Sequence, residues 1–304
     1  MGDWRTGGTR TALITGAGHG IGAATAERLA SSGWNLALVD LDLAAAESVA
    51  GRCGASAAAF AADVTDQEAV DGAVAGAVER FGGIDLCFAN AGIATACTLS
   101  RTDPEVFAVQ IDVNLTGTFR TVHACLPHTT AAKGYLLINA SASALAAPPG
   151  LGAYGASKGG VENLGDTLRR ELKHLGVDVG VVYLLWVSTD MVEGAESAGE
   201  TFSTVRSSMT GPLSRSMPVG DAVDAIERGI ERRARRITAP RFLGALYRMR
   251  GVAPAVLERD MVRMAPAVDE ASARDIAKRG EVEGAVRTDT TASAAAAARV
   301  KEAK

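Results

Sequence analysis

Residues 11–22 constrain the fold more than any other stretch of the chain. Thr11-Ala-Leu-Ile-Thr15 is a short apolar run suited to a strand buried on both faces. It passes directly into a loop carrying Gly16, Gly18, His19, Gly20, Ile21 and Gly22. A helical pattern follows, with Ile21, Thr25 and Leu29 on one stripe, and it ends near Ser31-Ser32-Gly33. Strand, glycine turn and helix in that order give the glycines a meaning. They let the backbone approach a pyrophosphate closely, and the helix N-terminus offers it unpaired N–H groups. Taken alone, such a loop also serves as a plain tight turn.

The next strand, Asn35-Leu-Ala-Leu-Val39, ends on Asp40. An acidic residue about 20 residues past the glycines is where a Rossmann unit reads the adenosine ribose. A carboxylate there accepts bonds from the 2′ and 3′ hydroxyls and repels a 2′-phosphate, so NAD is favoured over NADP. No basic residue follows in Leu41-Asp42-Leu43; His19 is the one feature that keeps NADP as the lesser alternative. Asp40 also has a second reading, as a cap for the helix beginning near Leu43.

The alternation continues. A helix over 43–52 leads to a strand over 56–62, closed by Asp63-Val64, and Asp66–Phe81 reads as a helix stopped by Gly82-Gly83. Ile84–Phe88 is a fourth strand running into Asn90-Ala91-Gly92. Pro104–His128 has a long helical pattern with Asn114 inside it, a mildly unfavourable place that a solvent-facing position would explain. Tyr135–Asn139 is a fifth strand, followed by a small-residue loop with Ser141 and Ser143. The helix from near Tyr154 carries Val161, Leu164, Leu168, Leu172 and Leu175 as a buried stripe, and Val177–Leu185 is a sixth strand.

The span 192–217 is polar with few large apolar groups, which predicts a mobile lid or binding loop. A helix over 221–236 and an edge strand at 237–239 follow. Arg232, Arg233, Arg235 and Arg236 read as a solvated face ahead of an anion or acidic-lipid site. Beyond Pro240, apolar and basic residues alternate through Arg250, as in an amphipathic helix. Such a helix closes a pocket, packs on another subunit or rests on a membrane surface, in that order of preference.

These elements predict an α/β fold: a single Rossmann-like doubly wound parallel sheet of about seven strands, helices on both faces, with a C-terminal helical extension. Residues 1–10 form a flexible lead-in. The domain covers 11–260, with a substrate loop at about 190–217. The charged, Ala-rich tail at 261–304 is expected to be weakly packed or disordered.

The bulk numbers narrow the function. With 47% hydrophobic and 22% charged residues and a net charge of −4, the chain reads as soluble, without a basic bias toward nucleic acid. No apolar run approaches the roughly 20 residues of a membrane span, and Met1–Arg10 lacks the apolar core of a signal peptide. A cytoplasmic location follows as the expectation. Cys53, Cys87, Cys97 and Cys125 form no CxxC pair, and His123 and His128 point to different helix faces, so no metal site is expected.

Tyr154 and Lys158 stand four residues apart, on one helix face one turn apart. A free tyrosine hydroxyl has a pKa of about 10 and exchanges protons poorly near neutrality. A neighbouring ammonium favours the phenolate and lowers that value. The pair is a candidate general acid/base with its own tuner, although such a pair is more often a solvated helix edge.

Together these motifs resemble the short-chain dehydrogenases/reductases, over about residues 10–240. Thr15-Gly16-Ala-Gly-His-Gly20-Ile-Gly22 is similar to the family's TGxxxGxG loop, and Asp63-Val64 to its adenine contact. Asn90-Ala91-Gly92 resembles the element that steadies the central sheet. Asn114, Ser141, Tyr154 and Lys158 fall in the order of the family's catalytic tetrad, and the thirteen-residue interval to Tyr154 fits Ser141 better than Ser143. Two departures stand out: Leu184-Leu185 replaces the usual Pro-Gly, and Ser141-Ala142-Ser143 breaks a usual Ser-Ser pair. The resemblance extends the nicotinamide contacts to Val187 and Thr189.

The resemblance implies an NAD-dependent oxidoreductase interconverting a secondary alcohol and a ketone. Ser141 would hold the substrate oxygen and Tyr154 exchange its proton. Lys158 would lower the tyrosine pKa and fix the nicotinamide ribose, and Asn114 would bind a relay water through its main chain. The alternatives are a catalytically silent NAD-binding sensor or scaffold of the same fold, and an epimerase or dehydratase acting on a sugar nucleotide. Ser143, Leu145, Leu151, Trp186 and Met191 are candidate substrate contacts, and their types suggest a hydrophobic or alicyclic alcohol. The resemblance further implies a homodimer or homotetramer built on the helices at 104–128 and 154–175.

Overall fold

The computed structural model describes residues 4, 9–189, 192 and 199–285, excepting the side chains of residues 253, 254 and 279–285. Three strand–helix pairs and a fourth strand open the described domain: β1 (Thr11–Thr15), α1 (Gly20–Ser31), β2 (Asn35–Asp40), α2 (Leu43–Cys53), β3 (Ala57–Ala61), α3 (Gln67–Phe81) and β4 (Leu86–Ala89). Next come α4 (Pro104–Ile111) and α5 (Gly117–Ala131), joined by a π turn at Asp112–Thr116, then β5 (Tyr135–Asn139), α6 (Gly152–Glu171) and β6 (Asp178–Leu184). The remainder is β7 (Val187–Ser188), α7 (Glu200–Ser208), β8 (Met217–Pro218), α8 (Val219–Glu231), β9 (Arg236–Ala239), α9 (Leu243–Arg248) and α10 (Ala253–Ala285).

Seven strands form one sheet in the order β3-β2-β1-β4-β5-β6-β9, every neighbouring pair parallel. The order reverses between β1 and β4, which opens a crevice beyond the carboxyl ends of those strands. Alternate side chains feed two cores. Leu13, Val39 and Cys87 pack with Val74, Val122 and Val161 from α3, α5 and α6 on one face. Ala12, Ile14 and Phe88 pack with Ala26, Leu29 and Ile226 from α1 and α8 on the other. The doubly wound sheet read from the sequence is the architecture observed.

Local chemistry sets the helix starts. Asp66 accepts from Glu68 N at 2.9 Å, and Asp103 caps α4 ahead of Pro104. Asp42, accepting from Ala45 N at 3.0 Å, caps α2, which leaves Asp40 free of the capping role considered for it.

The structure departs from the sequence reading in five places. Asn114 is not solvent-facing: it lies fully buried in the π turn. The Arg232–Arg236 cluster is not a simple solvated face. Arg233 is buried, donates to Lys133 O at 2.8 Å and lies over the Trp4 ring, while Arg236 pairs with Asp166 at 3.2 Å. Trp4 thereby ties one point of the lead-in to the domain, against Trp34 at 5.0 Å between ring centroids. The tail is a packed helix as far as it is described, because Met264, Val268 and Ala271 bury one stripe of α10, with Ser272 and Asp275 buried beside it. Residues 286–304 of the expected tail lie outside the described residues. Within the span read as a lid or loop, α7 buries Thr201, Phe202 and Val205.

Candidate active site

The site is assembled at the carboxyl ends of β1, β2, β4, β5 and β6. Gly16 leaves β1 at φ +65°, a conformation that favours glycine, and a Cβ on Gly22 would stand 2.0 Å from Gly16 O. The loop therefore turns tightly and seats α1 directly behind it. His19, exposed, precedes α1 and places no side-chain cap on it, so no side chain competes for the N–H groups of its first turn, around Gly20 and Ile21. Asp40 Oδ2 accepts from Gly18 N at 2.8 Å and Oδ1 from Asp42 N at 3.0 Å, which fixes its carboxylate beside the loop.

Asn90 locks the loop to the neighbouring strands. Its Nδ2 donates to Thr15 O at 3.1 Å and Gly16 O at 3.2 Å, while Thr15 Oγ1 accepts from the N–H groups of Asn90 and Ala91. Asn139 Nδ2 donates to Asn90 Oδ1 at 2.9 Å, and Lys158 Nζ donates to Asn139 O at 2.8 Å. A continuous chain of bonds thus runs from Lys158 to the glycine loop. Asn139 was missed in the sequence; a polar residue closing an otherwise apolar strand is the signal that marks it.

Asn114 is a hub. Its Oδ1 accepts from Ile93 N at 2.8 Å, and its Nδ2 donates to Ile93 O at 2.9 Å and Ser157 Oγ at 3.0 Å. Ser157 Oγ in turn donates to Tyr154 O at 2.8 Å. Gly92 passes beside Asn114 Oδ1 and Lys158 Nζ. The Asn114 carbonyl, the group given a relay water by resemblance, accepts from Thr118 Oγ1 at 2.7 Å.

Ser141, Tyr154 and Lys158 converge from the β5–α6 loop and from α6. Burial raises the Tyr154 phenol above its ordinary value, while a hydrogen bond with Ser141 pulls the other way. Burial pulls the Lys158 ammonium down to about 8. Its Nζ lies 5.7 Å from the centre of the Tyr154 ring. The direction for Tyr154 differs from the lowering expected of a neighbouring ammonium, because loss of water around the phenol outweighs its partners. Ser141 Oγ also accepts from Ser143 N at 3.2 Å.

An apolar cavity opens beside these hydroxyls. Ser141, Ser143 and Tyr154 supply its polar groups; among the described residues no charged side chain lines it. Leu184, Leu185 and Trp186 form one wall, Leu151 and Phe202 another, and Leu243, Leu246, Leu257 and Met261 from α9 and α10 the roof. Trp186 Nε1 is satisfied by Leu213 O at 2.8 Å, so the indole presents an apolar surface. Of the expected substrate contacts, Ser143, Leu151 and Trp186 line the cavity. Leu145 does not: the short turn at Ala142–Ala144 carries it into the core with Val161. Met191 lies outside the described residues. The place of Leu184, Leu185 and the roof residues in the cavity lining was not read from the sequence.

The remaining cofactor candidates divide. Thr189 faces the glycine loop, 3.3 Å from where a Cβ on Gly20 would stand. Val187 is buried in the sheet core. Asp63 Oδ1 accepts from Thr65 N at 2.9 Å and from Thr65 Oγ1, and Val64 packs against Gly117, both just beyond β3. The open α1 terminus, the close-turning loop and the fixed Asp40 carboxylate together fit a dinucleotide.

A family model described as short chain dehydrogenase matches residues 10–199. The chain is similar to the short-chain reductase protein NovJ of Streptomyces niveus, 35% identical over 212 residues, 69% of this chain and 80% of that protein. It is similar also to trans-4-hydroxycyclohexanecarboxylate dehydrogenase of Sinomonas cyclohexanicum, 35% identical, covering 61% of this chain and 75% of that one. Among solved structures it resembles a short chain dehydrogenase/reductase of Burkholderia phymatum in complex with NAD. That match has a TM-score of 0.71 and 25% identity, and covers 82% of this chain and 95% of the other.

Proposed function

Since the chain belongs to the short chain dehydrogenase family, we propose that it interconverts an uncharged secondary alcohol and its ketone with NAD. The observation that carries this reading is the placement of Ser141 and Tyr154 on the wall of an apolar cavity, with Tyr154 one helical turn from the buried Lys158. The glycine loop and the N-terminus of α1 would hold the pyrophosphate, Asp40 the adenosine ribose, and Lys158 with Thr189 the nicotinamide end. When bound, NAD supplies the hydride acceptor. The Asp40 carboxylate, fixed beside the loop by Gly18 N and Asp42 N, would disfavour a 2′-phosphate, which supports NAD over NADP.

Ser141 donates to the substrate oxygen and fixes it against Tyr154. Tyr154 removes the hydroxyl proton during oxidation and returns it during reduction. In the chain alone, burial raises the Tyr154 phenol and pulls the Lys158 ammonium down to about 8. Asn114 and Asn139 are positioning residues, the first holding the segment around Ile93 against α6, the second holding Lys158.

The substrate class follows from the lining. With three hydroxyl-bearing residues and otherwise apolar ones, the cavity suits a ring or long-chain alcohol. A relative named for a hydroxycyclohexanecarboxylate supports a ring alcohol. The cavity itself, among the described residues, offers no cation for a carboxylate. We also place a homo-oligomer interface on α4–α5 and α6, where Phe119 is exposed on α5. A screen of cyclic and linear secondary alcohols with NAD and NADP, following reduced nicotinamide, tests the reading. Oxidation of uncharged ring alcohols with NAD is expected. Binding of NAD without turnover of any alcohol or ketone would replace the reading with a sensor.

A further inference from the structure

Nine large apolar side chains stand exposed among the described residues, and five of them crowd into one segment: Phe242, Met249, Val252, Val256 and Val262. Scattered singly, such residues need no explanation. Concentrated at the two ends of α9, on its connection to α10 and on α10, they lie on elements whose inner residues already roof the cavity. On α10, Leu257, Met261, Met264 and Val268 repeat at i, i+4, i+7 and i+11 and face inward. Val256, Arg259 and Arg263 repeat at i, i+3 and i+7, and Ala255, Val262 and Pro266 at i, i+7 and i+11; these six are all exposed.

The charge of this segment sets it apart from the rest of the chain. Residues 241–263 hold five arginines against two acids, whereas the whole chain carries a net charge of −4. Arg241, Arg248, Arg259 and Arg263 are exposed, and the Arg263–Asp260 pair at 3.5 Å is open to water and weak. Arg250 is tied to the buried Glu162 at 2.5 Å, which anchors the connection between α9 and α10 to α6. Valines and a phenylalanine interleaved with arginines, on a segment anchored to α6 through Arg250, form the pattern of an interfacial helix on an acidic lipid surface.

We propose that the outer face of residues 242–266 docks on the surface of an anionic phospholipid bilayer. Docking there would lay the cavity roof against the membrane, so that an apolar alcohol dissolved in lipid reaches the site without crossing bulk water. That entry route rests on the alcohol reading above; the docking itself does not.

The test is sedimentation of the full chain with vesicles of phosphatidylcholine alone and of phosphatidylcholine mixed with phosphatidylglycerol. The mixed vesicles should carry the protein down at low salt, the neutral ones should not, and high salt should release it. The double variants Val256→Glu/Val262→Glu and Arg259→Glu/Arg263→Glu should each lower partitioning at least about tenfold. Both should keep the native rate toward a freely soluble ring alcohol such as cyclohexanol, and the native mass by light scattering. Failure of the native chain to bind mixed vesicles, or undiminished binding by the variants, would overturn the proposal. A fall in oligomeric mass of the variants would overturn it too, by assigning the face to a second copy. A native chain that binds vesicles but turns over no alcohol would leave the docking standing and remove only the alcohol reading.

Discussion

On the glycine-loop side, Asn90 joins Thr15 and Gly16 to Asn139 through bonds of 2.9–3.2 Å, all at the ends of adjacent parallel strands. On the roof side, Asp275 takes Glu200 N, Thr201 N and Thr201 Oγ1 at 2.7–2.9 Å, from a helix 74 residues earlier in the chain. The first arrangement is imposed by the sheet, whose strands hold the partners in register whatever the loops do. The second is imposed by one buried carboxylate acting as a remote cap. Gly199 starts α7 without a side-chain acceptor of its own, so the cap comes from α10. On the proposed function, the cofactor side is held by the sheet and the substrate side is completed by the tail.

This contrast predicts which changes affect which ligand. The largest effect belongs to the loop. Gly22→Ala places a methyl group 2.0 Å from Gly16 O and forces the loop off α1. NAD affinity should fall at least about tenfold in a fluorescence titration, with the roof intact by hydrogen exchange. Loss of roof protection in that variant would break the separation of the two regions.

A smaller effect is expected at the clasp. Asp275→Ala leaves buried donors of α7 without an acceptor, at a cost of about 1–3 kcal/mol. Thermal unfolding should register that loss, and KM for a ring alcohol should rise while NAD affinity stays native. Asp275→Asn keeps an acceptor oxygen and should restore part of both. A weakened NAD affinity in Asp275→Ala would show that the two regions are coupled.

The smallest effect is one of pH. Glu200, bonded to Lys278 and Arg274, and Asp269, bonded to Arg101 and Thr98, are each held down to about 2. A depressed carboxylate contributes stability above its unfolded value and loses it as pH falls toward the folded one. Between about pH 4.5 and 2 the roof should therefore loosen before the sheet. Amide exchange in α7 and α10 should accelerate first on acidification, and simultaneous acceleration in β1 and β5 would contradict this order.

The same contrast explains what the sequence made legible. The strands at 11–15, 35–39 and 135–139, the strand–glycine turn–helix order and the helix carrying Tyr154 and Lys158 are local patterns, and the structure has these elements where they were read. Asn114 drew notice as an asparagine inside a helical pattern, but its burial depends on a π turn and on Ile93, which no periodicity reveals. The buried side of α10 ends in Ala271, Ser272 and Asp275, residues that read as a polar, Ala-rich tail until α7 and Thr98 are set against them. Leu184 and Leu185 registered only as a departure from the family pattern. Their place in the cavity wall required the fold.

The most direct test of the central reading follows the label from a secondary alcohol deuterated at the carbinol carbon, in the native chain and in Tyr154→Phe. The native chain should deliver deuterium to NAD. The variant should bind NAD with native affinity and deliver it at least about a hundredfold more slowly. Transfer by Tyr154→Phe at the native rate would contradict the assignment of Tyr154 as the proton-exchanging residue.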